Sequence, residues 1–112
     1  FENLNVYQQS INYANLIYTV TKSWPKEELF GLTNQIRRAA VSIGLNIAEG
    51  SSRTKKDFRH FLDQARGSCY ETVAAATIAR NLKYVIQEDY LKIYDSANQL
   101  AKMINALKNS LK

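Results

Sequence analysis

Few side chains in this sequence could carry catalysis or hold a metal. His60 is the only histidine and Cys69 the only cysteine among 112 residues. A zinc site draws on several Cys or His ligands, so these two are too few in one subunit. A Cys–His nucleophile needs contact between the two, yet nine residues of helix would separate them by about 13 Å along the axis. A di-iron carboxylate bundle takes a Glu-x-x-His pair on each of two helices, and the chain has no such tetrapeptide. Gly31, Gly44, Gly50 and Gly67 do not share the spacing of a phosphate-binding loop. The expectation is a protein without enzymatic activity and without a cofactor or metal.

Two polar constellations remain. Arg38, Ser42, Asn46 and Glu49 repeat at helical spacing on one side of a segment whose Ile36, Ile43 and Ile47 take the adjoining side, and Glu71 lies among small residues further on. This set reads either as a ligand groove or as a partly buried network in which Arg38 pairs Glu49 or Glu71. The network is the favoured reading, because a charge among small residues persists when it is paired. The second constellation is the basic run Arg53, Lys55, Lys56, Arg59, His60 and Arg66. It opens in a loop and runs onto the start of a helix, where free amide groups also favour an anion. A positive cluster of this kind suits phosphates. The plain alternative is a solvated face with local pairs such as Arg59–Asp63.

Charge supports a polyanionic partner. The chain carries 15 Lys+Arg against 10 Asp+Glu, a formal net charge of +5. From Ile36 to Arg66 seven basic residues face three acidic ones, whereas Tyr84 to Asp95 holds three acids and one lysine. The two ends of the molecule are therefore expected to differ in sign. A lone cysteine forms no internal disulfide, and no stretch reads as a secretory signal, so a cytoplasmic location is expected. Nothing approaches the run of about 20 apolar residues that a membrane span needs.

These side chains must be positioned by helices. One Pro and four Gly are too few for the turns of a many-stranded sandwich or barrel. Breaks fall at Ser23-Trp24-Pro25-Lys26, at Gly50-Ser51-Ser52-Arg53 and, more weakly, between Asn81 and Gln87, with Pro25 placed to open a new helix. Between them apolar residues repeat at steps of three and four. The first segment has two such stripes, Leu4, Tyr7, Ile11, Ala14 and Tyr18 beside Tyr13, Ile17, Val20 and Trp24. The second runs Leu29, Leu32, Ile36, Ala39, Ile43, Ile47, and the third Phe58, Leu62, Ala65, Cys69, Thr72, Ala76, Ala79. The fourth carries Tyr90, Ile93, Ala97, Leu100, Ile104, Leu107 and Leu111. Thr54 is placed to cap the third helix, with Asp57 where a capping box has Glu. The expected fold is all-α, one domain over residues 1–112, an antiparallel up-down-up-down four-helix bundle. The first helix has more apolar surface than one core face uses. It either packs against other subunits or leaves its Tyr rings half exposed.

The stretch Gly31-Leu32-Thr33-Asn34-Gln35-Ile36-Arg37-Arg38-Ala39-Ala40-Val41-Ser42-Ile43, followed by Asn46-Ile47-Ala48-Glu49-Gly50, resembles the signature of bacterial four-helix bundle proteins encoded in intervening sequences of 23S rRNA genes. Phe1-x-x-Leu4-x-Val6-Tyr7-Gln8, Trp24-Pro25-Lys26-Glu27-Glu28, Phe58-x-x-Phe61-Leu62 and Gly67-Ser68-x-x-Glu71 are similar to the same family. One departure is Gly44, where that family often has Pro, so a local kink is expected there in weaker form. The resemblance implies a homopentamer, with relatives among the accessory variability determinants of retroelements, basic pentamers that bind nucleic acid and a reverse transcriptase. It transfers Arg38, Asn46, Glu49 and Glu71 as structural positions and supplies no catalytic set. The functional expectation is a basic oligomeric bundle that binds RNA or DNA through phosphate contacts at Arg53, Lys55, Lys56, Arg59 and Arg66, as accessory to an RNA-processing or reverse-transcribing protein. The competing expectation is an assembly scaffold with no nucleic-acid partner.

Overall fold

The computed structural model describes residues 1–111. Four helices follow in order: α1 (Asn5–Thr21), α2 (Leu32–Ser51), α3 (Lys55–Asn81) and α4 (Gln87–Ser110). Each packs on its neighbours in sequence, and α1 closes the square against α4. Neighbours are antiparallel. Asp63 and Arg66 of α3 reach Lys108 and Asn105 of α4, while Thr77, further along α3, meets Tyr90 near the start of α4. The result is a bundle of 43 × 24 × 20 Å. Its upper end gathers the start of α3 and the end of α4; the lower end holds the α1–α2 and α3–α4 connections.

The three breaks have three different causes. After α1, Pro25 does not start the next helix. Lys26–Glu28 form a single 3-10 turn, and the Glu28 carboxylate then accepts the backbone N–H of Leu32 at 3.3 Å. This cap fixes the start of α2 at Leu32, so the expected core position Leu29 is exposed and Phe30 is 91% exposed. Between α2 and α3 the Thr54 hydroxyl accepts the Asp57 N–H at 3.1 Å, as the spacing predicts. After α3, Tyr84 N–H bonds the Ala79 carbonyl and Lys83 N–H the Arg80 carbonyl, a Schellman closure with Lys83 at φ 64. A lysine takes the left-handed position that glycine usually fills, which is why this break is faint in the sequence.

The core is built from the stripes on α2, α3 and α4 together with one of the two on α1. Val6, Tyr13, Ile17, Val20 and Trp24 are buried, whereas Ile11 and Tyr18 of the other stripe are exposed. Ile17, Ile36, Ile43, Ile47, Leu62 and Ile93 are sealed from solvent. Across the middle, the Tyr13 hydroxyl lies 2.6 Å from Thr72 Oγ1. Thr72 spends its own proton on the Cys69 carbonyl, so Tyr13 donates and the buried pair is satisfied.

Small residues set the helix spacing. A Cβ added at Gly50 would come within 2.7 Å of Phe61 Cβ and 2.8 Å of Phe58, so α2 and α3 touch almost backbone to side chain there. A Cβ at Gly44 would meet Ser10 Oγ of α1 at 2.9 Å. Gly44 thus serves a close approach of α1, and α2 continues through it as one helix from Leu32 to Ser51. Gly67, mid-way along α3, is different: an added Cβ would meet nothing within 4 Å.

Two outcomes follow. Gly50→Ala should destabilise the bundle by about 1–3 kcal/mol through overpacking, whereas Gly67→Ala should stabilise it by up to about 1 kcal/mol through helix propensity; urea titrations at matched protein concentration read both. Cys69 is fully buried and desolvation pushes its thiol up to about 12. Alkylation followed by mass spectrometry should therefore leave native Cys69 unmodified and label it completely in denaturant.

Candidate nucleic-acid interface

The basic run begins at the upper end and descends α3. Lys55 and Lys56 occupy the first turn of α3, exposed, with no carboxylate within 4 Å among the described residues. Two cations at a helix N-terminus oppose the helix dipole, at a cost of about 0.3–1 kcal/mol each. Asp57 is the one acid in that turn. Arg59 does not pair with Asp63. Its guanidinium instead donates to the Leu111 carbonyl at 3.1 Å, joining the start of α3 to the end of α4.

The remaining cations of the run are engaged. Arg53 meets Glu49 at 2.9 Å and lies over the Phe61 ring at 5.7 Å. Arg66 donates to Asn105 Oδ1 at 2.9 Å and reaches Asp63 at 3.4 Å. Lys108 holds the same Asp63 carboxylate at 2.7 Å. That hydrogen bond, with Arg66 beside it, keeps the Asp63 carboxyl below its ordinary range. His60 is exposed and contacts Gln64. Arg59 and Arg66 both reach across to α4 and its end, at Leu111 and Asn105. What the sequence did not reveal is that α4 adds Lys102 and Lys108 to the same strip. They lie over 35 residues away in the chain, and only helix pairing brings them there.

The other half of the basic segment lies elsewhere. Arg37 donates to Thr21 Oγ1 at 2.8 Å and stacks over Tyr18 at 4.6 Å, near the lower end. The cations of residues 36–66 therefore do not share one exterior: Arg37 and Arg38 lie on α2, apart from the five between Arg53 and Arg66.

The expected polar network is only partly present. Asn46 donates to the Ser42 carbonyl at 2.8 Å, and the hydroxyls of Ser42 and Ser68 lie 2.6 Å apart across α2 and α3. Arg38, however, is exposed and pairs with neither acid, since Glu49 is taken by Arg53 and Glu71 stands exposed. The physical reason is reach. Arg38 and Glu71 flank an open groove of about 670 Å³, with Val41 and Leu45 on its apolar side, where water solvates both charges. Ile11, Val41 and Leu45 continue as an exposed apolar strip between α1 and α2, with Leu45 64% exposed.

Cys69 is buried and His60 exposed, and no group of three or more His, Cys, Asp or Glu among the described residues could hold a metal. No helix among them is long and apolar enough to cross a membrane.

Comparison with known proteins agrees with this fold. Among functionally curated proteins none matches the chain. A solved structure from Bacteroides thetaiotaomicron, described as a protein of unknown function from the S23 ribosomal protein family, superimposes with a TM-score of 0.85 at 25% sequence identity. The similarity covers 93% of this chain and 95% of that one. The sequence profile of the 23S rRNA-intervening sequence proteins matches residues 2–106, nearly the whole bundle from Glu2 into the last turns of α4. By that match over all four helices, the chain belongs to the 23S rRNA-intervening sequence protein family.

Proposed function

We propose that this protein is a non-enzymatic bundle that binds RNA or DNA through phosphate contacts along the α3–α4 strip. The observation that carries the reading is the pair Lys55 and Lys56, exposed on the first turn of α3 without carboxylate partners. Placed against the helix dipole, they reduce stability unless an anion offsets them. Arg59 beside them and Lys102 on α4 extend the positive strip. The names of the family and of the Bacteroides relative, both ribosomal, make ribosomal RNA the first nucleic acid to try. An accessory role beside an RNA-processing or reverse-transcribing protein fits a binder that lacks chemistry of its own.

The reading includes self-association, with a homopentamer as the proposed assembly. Its support is the strip Ile11, Val41 and Leu45, which one copy leaves in water. The same strip favours a second reading, an assembly scaffold without a nucleic-acid partner. The two part company over binding.

Affinity for ribosomal RNA fragments should fall linearly on a log–log plot against salt, by about 0.7–0.9 per phosphate contacted. Changing Lys55, Lys56 and Arg59 together to Glu should abolish binding while the helical circular dichroism is retained. Asp63→Asn, which releases Lys108 and Arg66, should tighten binding several-fold. Salt-independent binding, or none, leaves the scaffold reading alone.

A further inference from the structure

We infer that the groove between α3 and α4 takes an unpaired base of a single-stranded nucleic acid, stacked on Tyr70. The inference rests on the phosphate-binding reading above and names the form of nucleic acid that the strip selects.

The groove has a volume of about 240 Å³ and is lined by Arg66 and Tyr70 of α3 and by Asn98, Ala101, Lys102 and Asn105 of α4. Tyr70 is 58% exposed, in the middle of the longest helix. Among the described residues no ring pairs with it, no cation lies over its face and its hydroxyl makes no hydrogen bond. The other exposed tyrosine of α3 and α4, Tyr94, has the buried Tyr90 ring beside it at 6.1 Å.

The surroundings keep the ring open. On a helix the residues three and four positions away flank a side chain; here they are Arg66, Gly67, Val73 and Ala74, and the small Gly67 and Ala74 leave the ring uncovered on their sides. Gly67 costs the helix stability relative to Ala, and among the described residues no packed neighbour comes close enough to require it. A glycine that packing within the chain does not demand leaves space for something outside it.

The chemistry around the ring is that of a nucleotide. Lys102 is exposed and has no carboxylate within 4 Å among the described residues, and Arg66 presents a guanidinium on the facing helix. Arg66 already holds Asn105 Oδ1, which leaves the Asn105 amide N–H groups to donate elsewhere. Two cations serve phosphates; two carboxamides serve base edges or a 2′-hydroxyl. A duplex keeps its bases stacked on one another and would use only the cations. A lone exposed aromatic between cations gains from a base already out of its stack.

The test compares a 20-nucleotide single-stranded RNA with the duplex of the same sequence, by fluorescence anisotropy at fixed salt. The wild type should prefer the single strand. Tyr70→Ala should weaken single-strand binding roughly 5- to 100-fold, the range expected for one lost base stack, and leave duplex binding and the salt slope unchanged. Tyr70→Phe should retain the preference, and Gly67→Leu, which fills the open flank, should mimic Tyr70→Ala. Equal wild-type affinity for both forms, with Tyr70→Ala silent, overturns the base-stacking inference and leaves phosphate binding standing. Failure of the wild type to bind either form overturns the functional reading itself. If Tyr70→Ala instead lowers the sedimenting mass of the protein without changing its affinity, the groove is a contact between copies and the inference is wrong.

Discussion

Everything in this bundle is arranged around how closely α3 lets its neighbours come. Its inner face is Ala65, Cys69, Thr72, Ala75, Ala76 and Ala79, with Leu62 the only large side chain among its buried residues. So narrow a helix can be approached from both sides. Gly50 of α2 fits against Phe58 and Phe61, and the Tyr13 ring crosses from α1 to reach Thr72. The bulk of the core comes from the isoleucines of α1, α2 and α4, which fill the space that the small residues of α3 leave. One hydroxyl pair in the centre adds direction to packing that is otherwise non-directional, since only one register of α1 on α3 satisfies both oxygens.

The same antiparallel order explains the electrical asymmetry. The start of α3 and the end of α4 share the upper end, so Lys55, Lys56, Arg59 and Lys108 are neighbours there. The acidic residues Glu27, Glu28, Glu88 and Asp89 collect where the α1–α2 connection meets the start of α4. The Tyr84–Glu28 hydrogen bond of 2.9 Å ties those two lower connections together. Acids are present at the upper end too, Glu49, Asp57 and Asp63, and Asp63 does the most there. It holds Lys108 and Arg66 in place and thereby lowers the positive charge of the strip while fixing the geometry of α3 on α4.

Apolar exposure has its own distribution. Leu29 and Phe30 protrude at the lower end, and Ile11, Val41 and Leu45 run along the α1–α2 side. The face between α3 and α4 carries Tyr70 and the cations instead. The α1–α2 strip and the cations of α3 and α4 thus lie on different faces, while Ile78, Leu82, Ile86 and Leu91 are exposed as well.

Helical periodicity alone determined four helices, their approximate limits and the buried stripes of α2, α3 and α4, because a period of 3.6 residues leaves its mark wherever one face is buried. The Thr54 cap was legible as well, from a hydroxyl residue followed three positions later by Asp57. Periodicity could not choose between the two stripes of α1, since both are apolar and only the position of α2 and α4 decides which is covered. Nor could it show that Glu28 would cap α2 and expel Leu29, or that Lys83 would stand in for a glycine. Partner choice among charges was the least legible. Arg38 took neither expected acid and Arg59 took a carbonyl, because ion pairing depends on distances across helices that spacing along one helix does not contain. Tertiary structure alone placed Lys102, Asn98 and Asn105 beside Tyr70, joining residues about thirty positions apart through the pairing of α3 with α4.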